Sequence, residues 1–472
     1  MKVFKRFLVV AGTCLAAFGM QASCYEYNTA GGTANLGAST QINSTDRICL
    51  FQGTVNLNAG ASIVCGGNES GSCNFLGVDK SNAATLNVNG GTLHCSLAKG
   101  AGFLKLSAND YNQTATLNIN SGTVTVDREL WTCTHWNNNN GSAGRGIVNV
   151  NGGTLDVNNF FVGADANSSG TTEVFLRLGV LAVNKIQFRK YNKQVVSLEG
   201  GILRAKAANI FDVTTYPYQD TEGRVLQIAN RHTVTFDNAG FNQVIPTMTG
   251  NGVLRLTGQG TFSCAEPEQT ICIQLAGTTL NLGTLSADTT ALMLPTNGFS
   301  AVAASTLAVT LPENPSGRYA LVSGVLSRAV LDHLSVTGGG AGRLVLEDGT
   351  LYLDFSGAAE KGLVYSDANG GTDSPSGEHG YLSFLNGAGA FTLGGEGLTL
   401  TEHGAIYDAS TAAQTITAPV DFSAPLADIE VAAGGSLVLN GKVTATNLQK
   451  TGDGALVFGH PESSFSKLVL GG

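Results

Sequence analysis

Apolar and polar residues alternate over short stretches of this chain, and one such stretch recurs at a fixed interval. Residues 84–93 read ATLNVNGGTL, and similar sequences begin 31 residues later at Ala115 and 31 beyond that at Gly146. A related version precedes them at 54–60. Apolar residues alternate with Asn for five positions, which is the period of a β-strand, and the Gly pair that follows predicts a turn. Repetition at a fixed period indicates units that stack on one another.

The repeat length predicts the architecture. Each unit has room for about three short strands, which in the third unit are expected at 148–151, 154–157 and 160–163. Three strands per coil is the plan of a parallel β-helix, in which equivalent Leu, Ile and Val side chains stack inside. We therefore expect an all-β chain that forms a β-solenoid, with its regular repeats over 53–155.

Two columns of Asn in the repeats allow two interpretations. A regular polar array could template a sugar, a metal or ice-like water. Alternatively, stacked amides hydrogen-bond to one another along the solenoid, and Asn before Gly suits the turn. We favour mutual stacking. The columns are Asn56, Asn87, Asn118, Asn149 and Asn58, Asn89, Asn120, Asn151.

The N-terminus predicts export. Lys2, Lys5 and Arg6 precede an apolar core at 7–20, and small residues follow, so 1–23 is expected to be a signal peptide. A lipoprotein signal with Cys24 as the modified residue is the alternative. The formal charge of −9 becomes −12 once those three cations are removed. Such a balance argues against nucleic acid as a partner. No later segment is expected to cross a membrane as a helix.

The cysteines predict disulfides. An even number in an exported chain favours pairing, and two pairs eight residues apart flank turn-forming residues, which suggests local staples. Those pairs are Cys65 with Cys73 and Cys264 with Cys272, and Cys24 with Cys49 could tie the first coil. A zinc site is the rival interpretation, but the chain has no Cys-x-x-Cys. We expect no metal and no cofactor. The eight cysteines after the signal are Cys24, Cys49, Cys65, Cys73, Cys95, Cys133, Cys264 and Cys272.

Turn signals divide the chain into blocks. The first block is expected to span 24–356 and to end at a hairpin in which Asp348-Gly349 joins two alternating runs. Residues 357–380, rich in Gly and Ser, are expected to be a linker, and a second β-rich segment should occupy 381–472.

The last segment carries a family resemblance. The pattern Leu448-x-Lys450-Thr451-Gly452-x-Gly454, followed by alternating apolar residues and preceded by 435–441, resembles the autotransporter-associated β-strand repeat. The likeness covers 434–472. It implies a right-handed parallel β-helix that is secreted or exposed at the outer-membrane surface of a Gram-negative-type bacterium. It supplies no catalytic residues.

Candidate binding residues lie where the repeat breaks. Residues 177–206 contain seven cations and one acid, Glu199, and a basic stripe with aromatic residues could bind an anionic polysaccharide or a lipid headgroup. Both tryptophans lie in an expected loop insertion, where they could stack on sugars or cap the core. The candidates are Arg177, Arg189, Lys190, Lys193, Trp131 and Trp136.

These features predict an exported structural or adhesin-like solenoid, with anionic glycans as its candidate ligand and no catalytic residues. The alternative is a β-helix polysaccharide lyase, in which Arg or Lys abstracts a proton while Ca²⁺ on a cluster of Asp neutralises the uronate. The acids of this chain are scattered, which favours the non-enzymatic interpretation.

Overall fold

The chain folds almost entirely into β-strands, which form parallel sheets that curl into half-barrels in a computed structural model. The prediction of an all-β chain is confirmed. Two compact units are present, Met1–Thr279 and Leu280–Gly472. The structure describes residues 24–45, 47–66, 74–76, 83–106, 114–132, 144–163, 170–189, 193–211, 224–325, 327–340, 342–355, 362–402 and 404–471.

The first unit contains strands that alternate apolar and polar residues and so bury one side. In chain order they are β1 (Cys24–Leu36), β2 (Gln41–Ser44), β3 (Arg47–Asn58), β4 (Ser62–Cys65), β5 (Asn74–Leu76), β6 (Ala84–Cys95), β7 (Phe103–Leu106), β8 (Thr114–Trp131), β9 (Arg145–Val150), β10 (Thr154–Val162), β11 (Thr171–Leu176), β12 (Val180–Phe188), β13 (Lys193–Leu198), β14 (Ile202–Ala205), β15 (Arg224–Ile228), β16 (Thr233–Asp237), β17 (Gln243–Ile245), β18 (Val253–Thr257), β19 (Thr261–Cys264) and β20 (Cys272–Ala276).

The second unit follows the same pattern with shorter strands, after β21 (Thr279–Thr284) at the boundary. They are β22 (Phe299–Ala303), β23 (Ser305–Thr310), β24 (Arg318–Ser323), β25 (Leu334–Thr337), β26 (Arg343–Glu347), β27 (Thr350–Asp354), β28 (Leu363–Tyr365), β29 (Gly371–Asp373), β30 (Ser376–His379), β31 (Leu382–Phe384), β32 (Phe391–Leu393), β33 (Gly397–Leu400), β34 (Gly404–Asp408), β35 (Ala413–Ile416), β36 (Val420–Phe422), β37 (Ala427–Val431), β38 (Ser436–Leu439), β39 (Val443–Thr451), β40 (Ala455–Phe458) and β41 (Ser464–Leu470). The described 3-10 helices are Leu97–Lys99 and Arg328–His333.

Residues 31 apart in the repeats lie side by side on neighbouring parallel strands. Asn87 pairs in register with Asn56 on one side and with Asn118 on the other, and Asn118 pairs with Asn149. The pairings form three series of parallel strands, which we call the first, second and third stacks. The first runs through the end of β3, the starts of β6 and β8, then β9, β11, β13 and β15. The second runs through β2, β4, the end of β6, the middle of β8, the starts of β10 and β12, then β14, β16, β18 and β20. The third runs through the start of β3, β5, β7 and the ends of β8, β10 and β12.

Each stack turns its apolar positions inward, one above another. In the third stack Leu104, Leu130 and Phe160 are paired in register and buried. Burying such side chains contributes about 1.5–3 kcal/mol each. The residues on either side of them, one position before and one after, face outward.

The Gly of the repeat is required by close packing. A Cβ built on Gly122 would lie 2.2 Å from the carbonyl oxygen of Gly91 on the neighbouring strand, and Gly122 has φ 84°. Only Gly adopts this backbone conformation without strain and leaves room for the next repeat.

Strand boundaries differ from the prediction. The expected second and third strands of the third unit are one continuous strand, β10, although its alternation of buried and partly exposed residues is interrupted at Asn158 and Asn159, where the strand passes from the second stack to the third. Likewise, Trp131 ends β8 and does not lie in a loop.

The predicted hairpin is present in the second unit. Strands β26 and β27 pair antiparallel, and Asp348 and Gly349 join them with φ 49° and 72°. Two successive positive φ values define the type I′ turn that Asp-Gly favours. Of the expected linker at 357–380, residues from 362 onward contribute β28, β29 and β30 to parallel pairs.

The predicted staple between Cys264 and Cys272 is wrong, because both residues are thiols in the structure. Cys264 ends β19, which pairs with β17, whereas Cys272 begins β20, which pairs with β18. The backbone register pairs Cys49 with Glu26 rather than with Cys24. Cys73 and Cys133 lie outside the described residues.

Candidate functional site

Two ladders of side-chain amides run along the outer face of the first stack. In each ladder the Nδ2 of one Asn donates to the Oδ1 of the Asn one repeat earlier, so every step has the same direction. In the first ladder the distances are 2.7, 2.8, 2.8 and 2.7 Å for the donors Asn56, Asn87, Asn118 and Asn149, starting from Asn35. In the second they are 2.9 and 2.8 Å for the donors Asn120 and Asn151, starting from Asn89. The preferred interpretation of the Asn columns is thus confirmed for these residues.

Arg177 lies where both ladders end. Its Nη1 donates to Asn149 Oδ1 at 2.9 Å and to Asn151 Oδ1 at 3.0 Å. Its Nε donates to Glu199 Oε2 at 2.9 Å, and the guanidinium carbon lies 4.6 Å from the ring centre of Phe175. Because the amides all donate in one direction, the last amides present acceptor oxygens, and a cation suits them. Arg177, a predicted ligand residue, therefore stabilises the end of the ladders.

Trp131 and Arg189, two other predicted ligand residues, meet on the outer face of the third stack. Trp131 pairs in register with Phe161, and their ring centres lie 4.4 Å apart with 35° between the planes. The Arg189 guanidinium carbon lies 4.9 Å from the Trp131 ring centre and 4.7 Å from that of Phe161. Arg189 Nη1 also donates to Gln187 Oε1 at 3.0 Å. A guanidinium over aromatic faces is a favourable cation–π arrangement.

Further cations extend this surface. Lys105 pairs in register with Trp131, and its Nζ lies 6.0 Å from that ring centre. On the same two strands, β7 and β8, the Arg128 guanidinium carbon lies 4.5 Å from the Phe103 ring centre. Glu129 accepts a hydrogen bond from Trp131 Nε1 at 2.9 Å and lies 3.9 Å from Arg128 Nε. We call this surface the cationic aromatic face, made of Phe103, Lys105, Arg128, Trp131, Phe161 and Arg189.

The sequence analysis missed Lys105, Arg128 and Phe161. Trp131 pairs with a residue 26 positions earlier and with one 30 positions later, not with residues 31 away. Loops of different length separate the strands of the third stack, so the 31-residue rule does not align them. The signal that could have found them is the alternation of apolar residues around Leu104, Leu130 and Phe160.

The rest of the basic segment is divided among the stacks. Arg204 lies on the second stack and pairs with Asp237 at 2.9 Å, and Lys206 pairs with Asp156. Lys193 is exposed at the start of β13 in the first stack. These ion pairs reduce the net positive charge expected from the sequence. Lys190 and Trp136 lie outside the described residues.

The second unit buries carboxylates. Burial raises the pKa of Asp408 to about 7, although the backbone N–H of Ser410 donates to its Oδ1. Burial likewise raises the pKa of Asp428 to about 7, despite hydrogen bonds from the Thr451 hydroxyl. Asp408 is fully buried. Among described residues no partner reaches its Oδ2. Because burial disfavours the charged form, both carboxyl groups take up protons near neutral pH.

The repeat-like motif at the end of the chain has a local structural role. Lys450 Nζ donates to the carbonyl of Gly452, and Thr451 bonds Asp428 on the preceding strand of the sheet. A Cβ on Gly454 would lie 2.3 Å from the carbonyl oxygen of Ala432. The motif thus makes a tight turn against the neighbouring strand.

The described residues contain no helix long and apolar enough to cross a membrane and no group of three His, Cys, Asp or Glu side chains arranged for a metal ion. No known protein family, curated protein or solved structure matches the chain.

Proposed function

We propose that this protein is an exported structural scaffold, built as a right-handed parallel β-helix with three strands per coil. It would be secreted or exposed at the outer-membrane surface of a Gram-negative-type bacterium. The predicted signal peptide at 1–23 and the resemblance of 434–472 to the autotransporter-associated repeat support export. Right-handedness follows from the strong preference of parallel strand crossovers for that hand.

The observation that carries this proposal is the register of the amide ladders. Asn35, Asn56, Asn87, Asn118 and Asn149 lie on five successive strands and bond directly to one another. Such alignment arises when each repeat adopts the backbone conformation of the preceding repeat and is displaced from it by one strand spacing, about 4.8 Å. A chain that grows by one coil at a time is suited to spanning distance and presenting side chains at regular intervals.

The contacts of the acids near the cationic aromatic face favour a structural role over the lyase alternative. A lyase would need carboxylates that gather around Ca²⁺ beside its base. Glu129 instead bonds Trp131 Nε1, and Asp156 is paired with Lys206. Glu129 thus contacts a side chain of its own strand, and Asp156 links β10 to the residue that follows β14.

The proposal is tested by measuring the shape of the purified protein and its location in the cell. Small-angle scattering of the purified protein should give an elongated particle, with a cross-section that does not change between low and moderate protein concentration. On intact cells, added protease should degrade the full-length protein but spare a variant that lacks 1–23 and stays inside. A compact sphere in scattering, or equal protection of both proteins from protease, would contradict the scaffold.

A further inference from the structure

We infer that the second unit contains a pH-sensitive joint, in which the 3-10 helix Arg328–His333 is docked on parallel strands at low pH and separates from them as the pH rises. The joint consists of this helix, its N-cap Ser327 and the residues of β34 and β37 that they contact. The inference goes beyond the proposed function, because it concerns a change of conformation within the scaffold.

The helix is attached to two neighbouring strands of a nine-stranded sheet. Tyr407 on β34 and Glu430 on β37 are paired in register. The Tyr407 hydroxyl donates to Asp332 Oδ2 at 2.6 Å, in the last turn of the helix, and the Ser327 hydroxyl donates to Glu430 Oε2. Ser327 Oγ also accepts the backbone N–H of Ala329 at 3.0 Å. Ser327 thus caps the helix and fixes it to the sheet.

Arg328 links the antiparallel hairpin to the parallel strands. Its Nη1 lies 3.3 Å from the carbonyl oxygen of Leu346 on β26 and 3.3 Å from Glu402 Oε2, beyond the end of β33. Its guanidinium carbon lies 3.1 Å from the ring centre of Tyr381, the residue before β31. Arg328 and Glu402 are both buried. Separation of the helix would therefore also change how the hairpin is held.

The ionisable groups around the attachment points are mostly acids. They are Asp332 on the helix, Tyr407 and Asp408 on β34, and Asp428 and Glu430 on β37. The cations of the same region bond elsewhere, since Arg328 pairs with Glu402 and Lys450 on β39 donates to the carbonyl of Gly452. His333 pairs with no acid among the residues that the structure describes. No cation of this part of the chain therefore offsets a charge on Glu430.

The contacts favour a protonated Glu430 in the docked state. Burial raises the pKa of Glu430, and the charge of the exposed Asp332 raises it further, although the hydrogen bond from Ser327 acts in the opposite direction. Burial also raises the pKa of Tyr407, so its phenol keeps its proton and remains a donor to Asp332. A carboxyl beside a second acid and away from water keeps its proton to a higher pH than a solvated one. Docking is therefore coupled to a proton on Glu430.

The coupling fixes the direction of the pH effect. Once the helix separates, water solvates Glu430 and its pKa returns to the ordinary value of about 4.3. Docking is strongest below that value, where the carboxyl is protonated in both states. As the pH rises from there towards the higher pKa of the docked state, the docking equilibrium constant falls by up to about tenfold per pH unit. Above the docked pKa it stays at its lowest value.

Native-state hydrogen exchange of the full chain, followed by mass spectrometry from pH 4 to pH 9 and corrected for the intrinsic rate, measures opening of the joint. We expect peptides covering 327–334 to be less protected than β33 and β36 at every pH, because the helix separates without unfolding of the sheet. Their protection should fall by about tenfold or more as the pH rises. Glu430→Gln keeps the shape and an acceptor for Ser327 but cannot ionise, so at most about a threefold fall should remain.

The matched control is Glu378→Gln on β30, which removes an exposed carboxylate from the same sheet and should keep the pH dependence of the unaltered chain. Asp332→Asn provides a second test at an exposed position, and it serves if Glu430→Gln does not fold. It keeps an acceptor for Tyr407 but removes the facing charge. Protection of the helix at pH 9 should then rise several-fold.

Four results would overturn the inference. Protection of 327–334 that does not change with pH would show that no proton is coupled to docking. Equal protection of the helix and of β33 and β36 at every pH would show that the helix opens only when the whole unit unfolds. An unchanged pH dependence in Glu430→Gln would exclude that carboxyl, and an equal loss of the dependence in Glu378→Gln would assign the effect to the net charge of the sheet.

Discussion

Replacing Asn118 by Asp tests the amide ladder at its middle, because the two side chains have the same shape and differ in one donor group. Asn118 donates to Asn87 Oδ1 at 2.8 Å and accepts from Asn149 at 2.7 Å. Ionised Asp can still accept, but it places a negative oxygen against the Oδ1 of Asn87. One hydrogen bond is lost and two acceptors then face each other.

The cost follows from burial and geometry. Loss of an amide hydrogen bond costs about 1 kcal/mol, and an unmatched partly buried acceptor adds about 1–2 kcal/mol, so the unfolding free energy should fall by about 2–3 kcal/mol at pH 7. The carboxyl at 118 should have a raised pKa in the folded protein, since the facing oxygen disfavours its charge. A raised folded pKa means that the destabilisation is complete above that pKa. It disappears as the pH falls below about 4, where the carboxyl is protonated in both the folded and the unfolded chain.

Chemical denaturation followed by circular dichroism at pH 7 and at pH 3 measures this difference. Asn251→Asp, in an exposed turn of the same unit, is the control and should cost less than about 0.5 kcal/mol at either pH. The reasoning would be refuted by equal losses in the two variants, or by a loss at position 118 that is the same at both pH values.

Three further predictions concern the ladder end, the buried carboxyls and the cysteines. Arg177→Met should lower the unfolding free energy by about 2 kcal/mol, because Asn149, Asn151 and Glu199 lose a charged donor, and Glu199→Gln in addition should recover part of that loss in a denaturation series. Between pH 7 and about 4 the folded protein retains protons on Asp408 and Asp428 that the unfolded chain releases, so stability should rise as the pH falls, by up to about 1.4 kcal/mol per pH unit for each group; Asp408→Asn should remove its share of that slope in melts recorded across the range. Alkylation of the denatured, unreduced protein should label both Cys264 and Cys272 in mass spectra, and protection of the pair would show that a staple forms after all.

Local patterns predicted those parts of the fold that one repeat or one turn determines. The 31-residue interval predicted which Asn side chains are neighbours, because equal loop lengths hold β6, β8 and β9 in equal register. Asp348-Gly349 predicted its hairpin since two positive φ values suit few other residue pairs.

The composition of the candidate site was less predictable, because it depends on contacts between strands that are separated by loops of unequal length. The cations of 177–206 are close in sequence, yet Arg177 and Arg189 lie on different stacks. Lys206 meets Asp156, 50 residues earlier, and that pairing follows from the course of the second stack. The error about Cys264 and Cys272 has the same origin, since eight residues of separation can cross from one series of strands to another.

The amide ladders and the cationic aromatic face both arise from the stacking of parallel strands, but they place side chains with different electrostatic properties next to each other. Side chains at equal positions on neighbouring parallel strands are forced into contact, and amides gain from this because each one donates and accepts. Like charges in the same arrangement repel. On the third stack the cations Lys105 and Arg189 lie on either side of the Trp131–Phe161 pair, so aromatic rings separate them and each cation contacts a ring. Contact with the rings thus lets cations occupy neighbouring strands of one stack at a lower electrostatic cost than direct contact between like charges.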